Sequence, residues 1–137
     1  MQVDAQVDQK LGESQVGLAG GQLLVESLAT PRLNARSGRR IRGAAFIQDA
    51  WSPTKAFTAV AGLRFDIDSS FGPAVTPRLA ARFTPHSSLT IRGSTGLGFR
   101  APTFQELMLD FENPSVGYVV LGNAALRPEH SFGNSIG

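Results

Sequence analysis

No cysteine occurs in the 137 residues, so neither a disulfide scaffold nor a thiolate metal site is available. No apolar run approaches the 18 or so residues that a membrane-spanning helix needs. The start, "MQVDAQVDQK", has neither a basic opening nor an apolar signal core, so either the chain is cytoplasmic or its true N-terminus is missing. Charged side chains make up only 18% of the chain, below the globular norm of about 25%. Lysine is nearly lacking: eleven arginines stand beside two lysines, and 13 basic against 11 acidic residues leave a net charge of +2. The pI of 9.7 therefore reflects arginine identity, not a cationic excess of the kind that nucleic-acid binding calls for. What the chain does have is glycine, 15 residues, with 8 prolines and 42% hydrophobic side chains. Few charges with many glycines suit a β protein rich in turns, or one whose apolar side chains face something other than its own core.

Read with period two, several segments divide into two faces. In 58–68, Ala59, Ala61, Leu63, Phe65 and Ile67 oppose Thr58, Arg64, Asp66 and Asp68. Segments 2–11, 78–84 and 89–100 divide the same way, and 15–28 and 43–51 read as less regular strands. Short connections at 12–14, 52–57 and 84–88 alternate with longer ones at 30–42, 69–77 and 98–129. In an antiparallel meander this puts every short turn at one end and every long loop at the other, as in an outer-membrane barrel. Arg64, Arg78, Arg82, Arg92 and Arg100 share the polar face. Inside a small barrel they would be buried at high cost, whereas a wide, wet or plugged lumen keeps them hydrated or paired. The pattern predicts an all-β, antiparallel, up-and-down transmembrane barrel segment of about seven strands; a soluble antiparallel sheet stays open.

Several stretches, "AFIQDAW", "GLRFD", "TPRLAARFTPHSSLTIRGSTGLGFRAPTFQEL" and "GN…LRPEHSF", resemble the barrel of a TonB-dependent outer-membrane receptor. The resemblance runs from about Arg42 to Ser131 and is densest over Leu89–Glu129, where several landmarks follow one another in fixed order. Ala124 stands where the family often has proline, and Met108 where it often has an aromatic. The resemblance implies a receptor that binds a scarce ligand (ferric siderophore, haem or cobalamin) and imports it with energy passed through TonB. Outer-membrane lipid or lipopolysaccharide and a small metal chelate are the further partners it implies; an enzyme activity, a cofactor and nucleic acid are not among its implications. A family barrel has about 22 strands and a plugged lumen. Residues 1–137 are thus expected to be a partial barrel without plug domain, TonB-contacting segment or C-terminal strand, since "HSFGNSIG" stops in mid-strand. Such a piece would be inactive alone.

Within the longest connection, Pro102 is expected at the first position of a short helix, "PTFQELML", with Phe104, Leu107 and Met108 on one face. "NPS" should break the helix, "GYVVLGN" should be a small extended piece ending in a turn at Gly122-Asn123, and Pro128-Glu129 should lead into the next strand. A loop with its own secondary structure can fold over a barrel mouth. Candidate ligand contacts on the outer loops are Arg32, Arg36, Arg39, Arg40, Arg100, Glu106, Tyr118 and Asn123.

Other motifs carry less. Gly96-Leu97-Gly98-Phe99-Arg100-Ala101 fits a dinucleotide fingerprint, but its strand is two-faced and its helix too short for that site. Asp66-Ile67-Asp68 hints at calcium, yet Phe71 stands where an EF-hand loop needs glycine. His86 and His130 fall at opposite ends of the predicted sheet, so no triad or shared metal assembles. The arginines at 32, 36, 39, 40 and 42 have no interleaved aromatics of the kind that stack nucleic-acid bases, and on an outer loop they suit phosphates or an anionic ligand. Phe46, Trp51, Phe57 and Phe83 near one end, with Phe65, Phe71 and Phe99 toward the other, fit two interfacial girdles or a soluble core equally. A soluble carbohydrate-binding or adhesive β module remains the alternative, and a nucleic-acid binder comes third.

Overall fold

A computed structural model describes residues 1–29, 37–113 and 115–137. Six strands follow in order: β1 (Gln2–Lys10), β2 (Gln15–Ala29), β3 (Ser37–Thr54), β4 (Phe57–Asp68), β5 (Gly72–His86) and β6 (Leu89–Arg100). A short helix α1 (Phe104–Met108) and strands β7 (Asp110–Asn113) and β8 (Tyr118–Leu121) come next, before β9 (Glu129–Ile136). Seven strands form one antiparallel sheet in the order β1-β2-β3-β4-β5-β6-β9, while β7 and β8 make a separate hairpin. Neighbours in sequence are neighbours in space, broken only where the loop between β6 and β9 interposes its own elements. This is the meander expected from the alternation.

The register fixes the two faces across all seven strands. Leu63 lies opposite Ile47 and Pro77, Phe65 opposite Ala45 and Val75, and Leu79 opposite Ala61 and Thr95. On the other face Arg64 lies opposite Phe46 and Thr76, Arg78 opposite Gly62 and Gly96, and Arg100 opposite Glu129. The apolar face has no second layer. Ile47, Ile67 and Leu79 are 61%, 54% and 57% exposed, and among the described residues only Ala74 and Pro102 are buried apolar ones, neither on this face. A water-soluble domain covers such a face with another layer; the outside of a membrane barrel covers it with lipid.

Three expectations change in detail. The connection expected at 30–42 gives way to strand at Ser37, so Arg39, Arg40 and Arg42 sit in β3. The connection expected at 69–77 is a tight turn over 69–71, because β5 already begins at Gly72. There Gly72 takes φ +78, a conformation that suits glycine, and the Asp68 carboxylate accepts the Ser70 N–H at 2.8 Å. Short and long connections therefore do not alternate strictly; within the described residues the 101–128 loop carries the contrast. Proline was misleading. Pro73 and Pro77 lie in β5 where it pairs with β4 alone, since its ladder with β6 starts at Arg78–Gly96. A strand edge tolerates a residue without an N–H.

Among the aromatics, Trp51, Phe57 and Phe83 meet on the apolar face near the short-turn end, with Trp51 and Phe57 rings 6.2 Å apart. Phe46 belongs to the polar face instead. Its ring covers Gly20, where an added Cβ would come within 2.3 Å of it.

Candidate functional site

The 101–128 loop is built from local rules. Thr103 caps α1: its hydroxyl accepts the Glu106 N–H at 3.3 Å, and the Glu106 carboxylate accepts the Thr103 N–H at 2.7 Å. This reciprocal capping box satisfies two otherwise orphaned donors. Pro102, expected at the first helical position, accordingly precedes the cap and stands outside the helix, two places before its first residue, Phe104. Leu109, in extended conformation, ends the helix before "NPS" is reached, and the β7–β8 hairpin follows. The chain then returns to the helix end: Gly122 donates to the Leu109 carbonyl at 2.6 Å and Asn123 to the Glu106 carbonyl at 2.8 Å. A Cβ on Gly122 would meet the Met108 nitrogen at 2.6 Å, so only glycine fits this approach. Asn123 closes the turn by accepting the Ala125 N–H on its side-chain oxygen at 2.9 Å.

Two charge clusters pin this loop to the sheet. Arg40 and Asp68 are 2% and 4% exposed. The guanidinium donates to the Asp68 carboxylate at 2.5–3.0 Å and to the Pro102 carbonyl at 2.6 Å, and it stacks over the Phe71 ring at 5.0 Å. Phe104 lies against Gly38, where a Cβ would come within 2.8 Å of its ring. Gly38 and Arg40 face the same side as Arg42, which places the start of the loop over the polar face of β3. At the top of β6, Arg100 donates to Glu129 at 2.9 and 3.0 Å and to Glu106 at 3.1 Å. The Thr103 N–H first, and then the Arg100 guanidinium, hold the Glu106 carboxyl below the usual carboxylate range.

The sequence candidates thus separate. Arg40, Arg100, Glu106 and Asn123 are brought together around the loop base, each committed to an intramolecular partner. Tyr118 begins β8, where it is 56% exposed and its ring sits 6.5 Å from that of Phe111. Arg39 is exposed and alternates onto the face opposite Arg40. Arg32 and Arg36 lie outside the described residues. The Asp66 and Asp68 carboxylates bind Arg64 and Arg40 rather than converging. Gly98 approaches Ser131 of β9, where a Cβ would come within 2.4 Å of the hydroxyl oxygen. His130 sits against Phe99 at 5.5 Å, far from His86 at the other end of the sheet. Asp68, Pro102 and Glu129 were missed as site members. For Glu129 a signal existed: antiparallel strands flanking a single loop bring its first and last residues face to face.

An antiparallel arc with one lipid-suited face, one charged face and a folded loop across its upper end defines a class, the transmembrane barrel with a partly covered mouth. Residues 6–137 match the family described as TonB dependent receptor-like, beta-barrel, and the chain belongs to that family of outer-membrane transport receptors. The chain is 28% identical over 121 residues to the iron-regulated outer membrane virulence protein of Vibrio cholerae serotype O1, covering 88% of this chain and 19% of that protein. It is 39% identical over 80 residues to the vitamin B12 transporter BtuB of Vibrio vulnificus, covering 58% of this chain and 12% of the transporter. The siderophore receptor PirA from Pseudomonas aeruginosa superposes with a TM-score of 0.84 at 22% identity, over 98% of this chain and 26% of the receptor. The chain spans about a fifth of the V. cholerae protein's length.

Proposed function

We propose that the chain is one arc of an outer-membrane receptor that takes up a scarce ligand, a ferric siderophore, haem or a cobalamin, with energy delivered through TonB. The observation that carries this is the pairing of an uncovered apolar face with a loop folded over the opposite, charged face. Lipid and, at the rim, lipopolysaccharide are the partners of the first; a ligand approaching from outside meets the second. The names of the relatives bracket the ligand class: one is iron-regulated, one transports vitamin B12, and a structural neighbour is a siderophore receptor. The plug and the segment that contacts TonB belong, in this proposal, to parts of the receptor outside these residues. Tyr118, exposed near the mouth, is the better placed ligand contact, whereas Arg39 points from the outer face of β3 and suits a lipopolysaccharide phosphate at the rim. Arg40, Arg100, Glu106 and Asn123 shape the loop that presents Tyr118.

Uptake by the producing bacterium tests the proposal. Cells with the gene deleted and restored are given radiolabelled ferric siderophore, haemin or cyanocobalamin, with and without a protonophore. Loss of energy-dependent uptake of one of the three on deletion, regained on restoration, is expected. Unchanged uptake of all three would overturn it.

A further inference from the structure

Among the described residues, the outer face of the seven-strand sheet carries one carboxylate. Register places Asp49 of β3 between Gly17 of β2 and Ala61 of β4, on the side that Ile47 and Trp51 share. The other acids of these strands alternate onto the polar face. The one Lys or Arg on the outer face, Arg39, stands ten residues away along β3, roughly 33 Å. Asp49 accordingly makes no ion pair among the described residues. Its Oδ2 accepts the Gln15 amide at 2.8 Å, while Oδ1 has no hydrogen-bond partner. A carboxylate oxygen held from water without a donor costs free energy. The terminal torsion of the side chain is broad, so either oxygen can turn toward a donor that arrives.

A hollow of about 830 Å³ lies beside this group, lined by Gln15, Asp49, Trp51, Ala61, Ala81 and Gly93 among others. That size falls in the range of about 300–1,000 Å³ usual for small-molecule sites. Ala81 pairs with Gly93 and Ala61 with Leu79, so small residues of three adjacent strands make its floor. Trp51 and Leu79 stand exposed at its sides. Height decides what can fill it. Trp51, Phe57 and Phe83 form the aromatic girdle of the short-turn end, where hydrocarbon meets headgroups. An acyl chain suits the floor, and a cation at headgroup level suits the acid.

We propose that this hollow is a site for one phospholipid whose headgroup carries a primary ammonium. The ammonium donates to Asp49, and an acyl chain lies over the floor of Ala61, Ala81 and Gly93. Charge complementarity selects the headgroup. A primary ammonium brings three N–H donors together with the missing positive charge, a quaternary one brings charge without donors, and an anionic headgroup adds a like charge. The inference rests on the proposed barrel in taking the apolar face as the lipid-facing one, and it gives that face a selective site.

The test uses the receptor extracted from its own outer membrane in mild detergent. Phosphatidylethanolamine, phosphatidylcholine and phosphatidylglycerol are added in equal amounts, and native mass spectrometry counts the lipid retained. One phosphatidylethanolamine is expected, about tenfold above the other two, since a charge-assisted hydrogen bond is worth at least that factor. Asp49→Asn should abolish the preference and Asp49→Glu should keep it. Ala81→Phe should displace the lipid by filling the hollow with the carboxylate intact. Equal retention of the three lipids, a preference that survives Asp49→Asn, lipid retained in Ala81→Phe, or a polypeptide bound in place of lipid would each overturn the proposal. Heat-modifiable migration in electrophoresis is followed in parallel. Its absence from the unaltered protein would count against the barrel, whereas its presence without a selected lipid counts against this site alone.

Discussion

Single residues hold the loop, and their energetics differ in kind. Arg40 and Asp68 form a buried pair whose guanidinium also carries the Pro102 carbonyl. Removing one partner of such a pair leaves an uncompensated charge and costs about 3–5 kcal/mol, while replacing both with apolar groups of similar size can be neutral. Arg40→Met is therefore expected to free the 101–128 loop, seen as rapid cleavage within it by an external protease. Arg40→Met with Asp68→Leu should restore most of the protection. Cleavage in Arg40→Met no faster than in the unaltered protein would mean that the pair does not anchor the loop. Glu106 acts differently because it is solvent-accessible. Its carboxyl is depressed by the Thr103 N–H and by Arg100, so its contribution is complete above the ordinary carboxylate range and is lost as pH falls through the lowered folded value. The protection factor of the Thr103 amide, its exchange rate relative to the intrinsic rate at the same pH, should fall on that acid limb, and Glu106→Gln should remove this change in protection.

Elements carry the next scale, and the loop is the element on which the candidate site depends. α1 has only five residues, too few to be stable by itself, and its C-terminal end is closed by the returning strand. Gly122 makes that return possible by approaching the Met108–Leu109 backbone more closely than any Cβ allows. Because the obstacle is backbone rather than a mobile side chain, Gly122→Ala is expected to detach the β7–β8 hairpin while leaving the seven-strand sheet intact. Hydrogen exchange should show this as lost protection over 110–121 with unchanged protection in β3 and β4. Most of these elements were legible in the sequence: alternation marked the strands of the sheet and "PTFQELML" marked a short helix, whereas the Thr103 cap and β7 were not foreseen. Boundaries were less legible. Gly72, Pro73 and Pro77 look like loop residues, and only the register shows that β5 is an edge at that height. Phe46 could not be assigned to the polar face because 43–51 alternates imperfectly, and its true neighbour, Gly20, is remote in sequence. The Arg40–Pro102 contact joins positions 62 residues apart, beyond the reach of local pattern.

At the scale of the whole molecule, two faces in two solvents explain the composition with which the sequence opens. Side chains that would be core elsewhere are spread over an uncovered surface, and most of the strand charges are on the other side, Arg39 and Asp49 excepted. The sheet has two unpaired edges, the outer sides of β1 and β9. A bilayer does not tolerate open edges, so whatever pairs with them must close the barrel. Peptides of this chain are therefore expected in an outer-membrane product several times 14.6 kDa, as read by mass spectrometry of fractionated cells. A soluble species of 14.6 kDa would instead mean that the strands pack on themselves. The same asymmetry gives a sharper test within the sheet. Leu63 is 47% exposed on the apolar face, midway along β4, and an arginine facing lipid near the bilayer midplane costs about 2–4 kcal/mol. Gln48, in the adjacent strand on the polar face, accepts from Arg78, so Gln48→Glu adds a charge where a cation already waits. Leu63→Arg should lower the urea midpoint of the receptor in lipid vesicles markedly, and Gln48→Glu should hold or raise it. Similar losses from both would mean that the two faces meet the same solvent. The separation of the two outcomes measures which face the membrane covers.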